Sequence, residues 1–243
     1  YTPNVKGVLN GDFHAIVDKE STSISSNIDV SNLSYEKSPI GNISTEIVYM
    51  PHSDGSHYVD GIIYKEDNEI ATLSGTYVFG EEDYIDAKLM LKDMPVDVIN
   101  GFVPDKILGM RGYGNGELNV VGNVSKPKIN GILNLEEASF ISLPYGIELK
   151  IDDDAVRIED SRIYFDKFQF YDNAFNPLIM NGSLDFSDFE HIWANLTVGG
   201  KNILIIDAKE NKYSEAYGKA YVNIFSNIKG ELSRLNVRAK LDV

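Results

Sequence analysis

Cysteine is absent from all 243 residues. That excludes a disulfide framework, a zinc site built on thiolates and a cysteine nucleophile. A cysteine-free chain suits an envelope protein, in which stray thiols would pair oxidatively. Basic residues are scarce: 22 Lys and Arg stand against 37 Asp and Glu, a net charge of −15. Nucleic acid is excluded as a partner, because phosphate binding needs clustered Lys and Arg. Flat docking on anionic lipid headgroups is disfavoured for the same reason. Strong acidity fits a soluble protein held apart from its neighbours. No apolar run approaches the roughly 18 residues of a membrane-spanning helix. The opening YTPNVKG carries neither an initiator Met nor a signal peptide, so a piece of a larger protein is expected. A Walker loop, a Rossmann fingerprint, a Cys/His metal set and a nucleophile elbow are all missing. Neither an enzyme nor a bound cofactor or metal is expected.

What the chain has is alternation. Hydrophobic residues make up 43% of it, and they recur at every second position. LNVRAKLDV places Leu235, Val237, Ala239, Leu241 and Val243 on one side and Asn236, Arg238, Lys240 and Asp242 on the other. YIDAKLML repeats the pattern with Ile85, Ala87, Leu89 and Leu91, and YGIELKI with Tyr145, Ile147, Leu149 and Ile151. A period of two marks half-buried strands of antiparallel sheet, one face dry and one wet. About 16 strands are expected.

Turn signals separate these runs. Asn-Gly occurs at Asn10-Gly11, Asn130-Gly131 and Asn181-Gly182, and Asp-Gly at Asp54-Gly55 and Asp60-Gly61. FGEEDY (79–84) and IDDDAV (151–156) read as hairpin tips, although some glycines can instead kink or bulge a strand. A helix is expected only around DMPVDVINGFVPDKILGM, with Asp93 as N-cap, Pro95 in the first turn and Val96, Ile99 and Val103 at helical spacing. Pro104 should end or bend it. FSDFEHIW (186–193) has room for a single turn. The expected organisation is a β-meander over residues 1–92, a short helix or linker over 93–112, and a β-groove segment over 113–243 continuous with the first.

Candidate chemistry is thin. MPHSDGSHY gathers His52, Ser53, Asp54, Ser56 and His57, yet neighbours on one loop tip do not converge as a triad or a metal site must. A hairpin loop is the better reading. Asp152-Asp153-Asp154 lacks calcium-loop spacing and reads as a solvated turn. Trp193 reads as a core or groove anchor rather than a sugar platform. RIYFDKFQFYD crowds Tyr164, Phe165, Phe168, Phe170 and Tyr171 together, either as the core of a sandwich or as the wall of an apolar conduit.

Gly-x-Leu followed by alternation recurs at Gly116, Gly131, Gly182 and Gly230. GNGELNVVGNVSKPKINGILNLEEASF, the Pro-Tyr-Gly of ISLPYGIELKI, the Asp-x-x-x-Asn-Pro of YDNAFNPL and the late AYGKAY follow in an order that resembles the C-terminal region of the TamB family. TamB belongs to the AsmA-like envelope proteins, and the likeness is to its Bacteroidetes form. It covers about Gly109 to Val243 and loosens before that. The resemblance implies an all-β fold: a long curled antiparallel sheet, or β-taco, with an apolar interior and at most one or two short helices. It further implies a protein of the diderm periplasm, anchored in the inner membrane when complete, that conducts phospholipid between inner and outer membranes. A BamA-family outer-membrane barrel is implied as a partner.

The residues themselves agree with a groove. An alternating sheet with few helices leaves its dry face without a covering layer, and acyl chains gain about 0.8 kcal/mol per buried methylene there. The expected lining begins with Leu118, Val120, Ile129, Leu133 and Leu135. It continues through Ile147, Leu149, Ile151, Val156, Ile158, Ile163, Phe165, Phe168 and Phe170. It ends with Leu184, Phe186, Leu196, Val198, Val222, Ile224, Leu235, Val237 and Leu241. Two other functions stay open: a scaffold or chaperone that offers edge strands to outer-membrane proteins, and a surface β protein that binds or cleaves glycans.

Overall fold

The structure is a computed structural model and describes residues 4–17, 22–35, 38–80, 83–97, 100, 109–142, 145–152, 155–172, 175–188, 191–210 and 217–242. It is all-β. The strands are β1 (Val5–Val17), β2 (Thr22–Tyr35), β3 (Ser38–Pro51), β4 (Ser56–Lys65), β5 (Asn68–Val78), β6 (Tyr84–Pro95), β7 (Gly109–Asn123) and β8 (Lys128–Ser142). Then come β9 (Ile147–Ile151), β10 (Val156–Glu159), β11 (Arg162–Tyr171), β12 (Pro177–Asp185), β13 (Trp193–Ala208), β14 (Gly218–Glu231) and β15 (Asn236–Asp242). They form one 15-stranded sheet whose spatial order follows the chain, with β9 lying off the main path. A meander of this kind follows from the short connections and the period of two.

The chain divides into two units. The first comprises residues 1–102 and 114–132, the second 103–113 and 133–243. The segment expected over 113–243 therefore splits within β8, and residues 114–132 belong with the first unit. The linker expected over 93–112 is partly strand: Asp93 and Pro95 lie in β6, and β7 starts at Gly109. Asp93 is thus a strand residue with φ 46° and not a helix cap. Val96, Asp97 and Asn100 adopt 3-10 geometry, while Ile99, Val103 and Pro104 lie outside the described residues.

IDDDAV is not a hairpin tip. Both β9 and β10 run antiparallel to β11, β9 through Phe170↔Ile151 and β10 through Ile158↔Ile163. They occupy one lane, a single strand interrupted around Asp152. The Asp152 N–H still donates to the Gln169 carbonyl at 3.1 Å, so the ladder continues into the break. FGEEDY does close a hairpin, with Val78 opposite Tyr84. So does MPHSDGSHY, where Pro51 pairs with His57 and Gly55 takes φ 85°. In FSDFEHIW the His191 N–H donates to the Asp188 carbonyl at 3.1 Å, closing one tight turn.

Of the five pairs named above, Asp54-Gly55 forms a turn and the other four lie inside strands. At two of them close approach demands glycine. A Cβ on Gly131 would stand 2.1 Å from the Glu117 carbonyl oxygen, and one on Gly182 2.1 Å from that of Asn195.

The asparagines have their own recurring use. Asn32, Asp93, Lys167 and Asn202 take left-handed φ of 52°, 46°, 55° and 54°. Each donates its backbone N–H to an asparagine Oδ1 on the next strand: Asn42 at 2.9 Å, Asn115 at 2.7 Å, Asn181 at 2.8 Å and Asn223 at 3.0 Å. Three of the four sit at shifts of register, between Val30 and Leu33, Phe165 and Phe168, and Gly200 and Ile203. A bulge leaves one residue out of the ladder. Here the neighbouring asparagine satisfies its donor.

Candidate functional site

Partners across an antiparallel ladder point to the same side, so the register sorts side chains by face. In the second unit Phe165, Gly182, Leu196, Ile228 and Val237 form one row. Phe170, Leu178, Gly200, Ile224 and Leu241 form another on the same face. The bulge at Lys167 keeps Phe165 and Phe168 together although they are three residues apart; their rings meet edge-on at 5.5 Å. Phe168 and Phe170 follow at 5.2 Å, and Phe140 and Phe170 at 5.6 Å.

The expected lining residues are not equivalent. Phe168, Phe170 and Val156 form a buried cluster, against which Leu133, Leu135, Leu149, Ile151, Ile163 and Phe165 pack. Ile158 and Val222 are buried too. These five are buried rather than open on the apolar face, three of them within the cluster around Phe168. Ile147, Leu184, Phe186, Leu196, Val198 and Ile224 are half-buried. Leu235, Val237 and Leu241 are 41%, 57% and 53% exposed. The apolar face of the second unit thus runs from closed at β10–β11 to open at β15. Leu118, Val120 and Ile129 are half-buried and belong to the first unit.

The first unit holds a site that the expected lining does not include. The rows Ala15-Ile24-Tyr49-Val59-Gly75-Ala87 and Phe13-Ser26-Ile47-Gly61-Leu73-Leu89 define its apolar face. At one end of that face a concavity of about 470 Å³ is walled by Tyr49, His57, Val59, Leu73, Tyr77, Phe79 and Ile85. The Tyr49 hydroxyl lies 2.5 Å from His57 Nδ1, and the two rings stack at 5.7 Å. Phe79 stands edge-on to both His57 and Tyr77, at 4.7 Å and 4.3 Å. Burial first, and then a hydrogen bond with Asp83, raises the Tyr77 hydroxyl above its usual pKa. Gly75 lets β5 approach β6 closely beneath it, since a Cβ there would meet the Ala87 Cβ at 2.6 Å. The alternation of Val59, Leu73, Tyr77 and Ile85 was the available signal for these residues. The chemistry-bearing loop beside them drew attention to His57 for another reason.

That loop makes no relay. Asp54 accepts from the backbone N–H and hydroxyl of Ser56, at 2.9 Å and 2.6 Å, which lowers its pKa, while His57 is engaged by Tyr49. Among the described residues no group of three His, Asp or Glu side chains is placed to hold a metal.

The opposite faces are mainly polar. Lys88 pairs with Glu117 at 2.7 Å in the first unit, and Arg162 with Asp185 in the second. Trp193 is 53% exposed and lies in the row Asp185-Trp193-Glu231. It is therefore a surface residue and not the core or groove anchor expected. One apolar depression interrupts this side, where Ile179, Gly199 and Phe225 lie in register beside Lys201 and Lys240.

Asp172 organises the Asp-x-x-x-Asn-Pro motif. Its carboxylate is 1% exposed and accepts from Asn176 N and Leu204 N, both at 2.8 Å, and from Asn176 Nδ2 at 3.2 Å. Asn176 Nδ2 also donates to the Asn202 carbonyl at 2.9 Å. The network ties the β11–β12 connection to β13 and holds the bulge at Asn202.

No protein-family model, curated protein or solved structure matches the chain.

Proposed function

We propose that the chain holds lipid acyl chains against the apolar face of its sheet and takes part in phospholipid transfer. One observation carries this reading: each unit presents apolar rows on one face of a sheet, half-covered, with polar rows behind. On that face Leu9 and Phe13 of the first unit and Val237 and Leu241 of the second are 53–69% exposed. Apolar side chains left so accessible mark an interaction surface rather than a finished core. Acyl chains suit it because they need area and no directional bonds. The resemblance to TamB supplies the rest of the reading: phospholipid as cargo, the diderm periplasm as the place, and a BamA-family barrel as partner.

Native mass spectrometry of protein purified from bacterial cells tests it. The expected result is co-purifying phospholipid, reduced at least severalfold in Val198→Asp and Leu241→Asp. Both residues are half-buried or exposed, so the fold should tolerate them better than a substitution at Phe168. Lipid-free protein, or lipid retained equally by both variants, contradicts the proposal.

A further inference from the structure

The apolar face of the first unit changes character along its strands. The row Ile63-Ala71-Leu91 is aliphatic, and so is the next, Ile47-Gly61-Leu73-Leu89. The row Tyr49-Val59-Gly75-Ala87 brings the first ring, and Pro51-His57-Tyr77-Ile85 brings two more. Phe79 follows in the β5–β6 connection and is 63% exposed. The rings therefore gather at the end of the face that meets water at two hairpins. His57 and Ile63 are six residues apart on β4, about 20 Å. Amphipathic rings suit a boundary with one apolar and one wet side.

The chemistry of this end favours a cation. Among the described residues that line the concavity there is no Lys or Arg. The Tyr77 hydroxyl bonds the Asp83 carboxylate, which also accepts the Gly80 N–H at 3.2 Å. His57 and Phe79 stand at 90° to each other, and Phe79 and Tyr77 at 72°. Rings set at steep angles around one concavity offer π density from more than one direction, which is how aromatic cages hold a methylated ammonium. An anionic headgroup finds no counter-charge here, whereas a cationic one finds rings backed by a carboxylate.

We infer that this concavity seats the ammonium of a zwitterionic lipid headgroup, with the acyl chain running past Tyr77 and Leu73 into the aliphatic rows. The inference rests on the acyl-chain reading above and adds to it an orientation and a headgroup preference. The lipid, rather than a free cation, is the occupant, because the rings open directly onto the aliphatic rows and the chain adds burial that choline alone lacks.

Nuclear magnetic resonance of the whole chain with dihexanoylphosphatidylcholine below its micelle concentration tests it. Intermolecular Overhauser effects should join the choline N-methyls to the ring protons of Phe79 and Tyr77, and the acyl methyls to Leu73. In titrations Phe79→Leu should weaken this lipid about fivefold and dihexanoylphosphatidylglycerol much less, because leucine keeps apolar bulk and loses the π face. The net charge of −15 acts on wild type and variant alike, so the change in preference reports the site. Phe79→Tyr keeps a ring and should bind as wild type does. Circular dichroism checks that each sheet is intact. Free choline at the same concentration should leave the ring resonances in place. Reversed lipid ends, equal weakening of both lipids in Phe79→Leu, or ring shifts as large with free choline overturn the inference and leave the acyl-chain reading standing. Absence of contact from either lipid defeats the acyl-chain reading in this unit, and the inference with it.

Discussion

Asn181 does two things that its neighbours cannot. Its side chain accepts the N–H of Lys167, which the bulge removes from the ladder, and its chain position sets Gly182 where only hydrogen fits. Replacing Asn181 by Ala leaves one partly exposed donor to water and should cost about 1 kcal/mol. Gly182→Ala should cost at least ~3 kcal/mol, since its Cβ would overlap the Asn195 carbonyl and its φ is 124°. Urea denaturation of the two variants compares them directly. Asp172→Ala should also cost about 3 kcal/mol, because it strands the buried Leu204 N–H and the half-buried donors of Asn176. The same denaturation series checks that value. At this scale the sequence was legible in part. Glycine marked constraint correctly, but an Asn-Gly pair looks the same in a turn and at a clamped bulge. The difference lies in what the adjacent strand brings, which no local window contains.

For the strands, alternation announced nearly every element, because period two is written in each strand's own residues. Interruptions were hidden. The three-residue step from Phe165 to Phe168 breaks the period, and only the left-handed Lys167 reconciles it with one face. Likewise nothing in IDDDAV distinguishes a reversal from a break in one lane; pairing with β8 and β11 decides it. The helix expected after Asp93 failed at its first residues, where β6 continues through Pro95 and Asn115 of β7 accepts the Asp93 N–H. The ion pair joining β11 to β12 makes a pH prediction. Arg162 holds the Asp185 carboxyl down to about 2 from 3.8, with help from Ser187. A folded pKa below the unfolded one stabilises above the unfolded value and is lost as pH falls through the folded one. Stability contributed by this pair should therefore be full above about pH 4 and fade towards pH ~2. In Arg162→Gln the fall in thermal midpoint relative to wild type should shrink over that window. A difference that is constant with pH argues against the pair.

Across the whole molecule, the proposed function assigns apolar cargo to one face of each unit. The apolar rows of the second unit were legible, because alternating pairs and aromatic residues marked them. The degree of coverage was not, since burial at Phe168 and exposure at Val237 depend on neighbouring strands rather than on residue type. The aromatic concavity around Tyr49, His57 and Tyr77 was missed because its walls come from β3, β4, β5 and β6, and from Phe79 just after β5. Filling it by Val59→Phe, a half-buried wall residue, should lower acyl-chain capacity in the first unit, read as a reduced number of bound fluorescent fatty acids per chain, with the sheet checked by circular dichroism. The most direct measurement is photo-crosslinking with a phospholipid that carries a diazirine in its acyl chain, followed by peptide mapping. Labels are expected on the apolar faces, at Leu73, Tyr77, Val198 and Ile224, with Trp193 and Lys88 left unlabelled. Labels concentrated on the opposite faces, around Trp193, Ile179 or Phe225, or no labelling above an unrelated acidic protein, would contradict the proposed function.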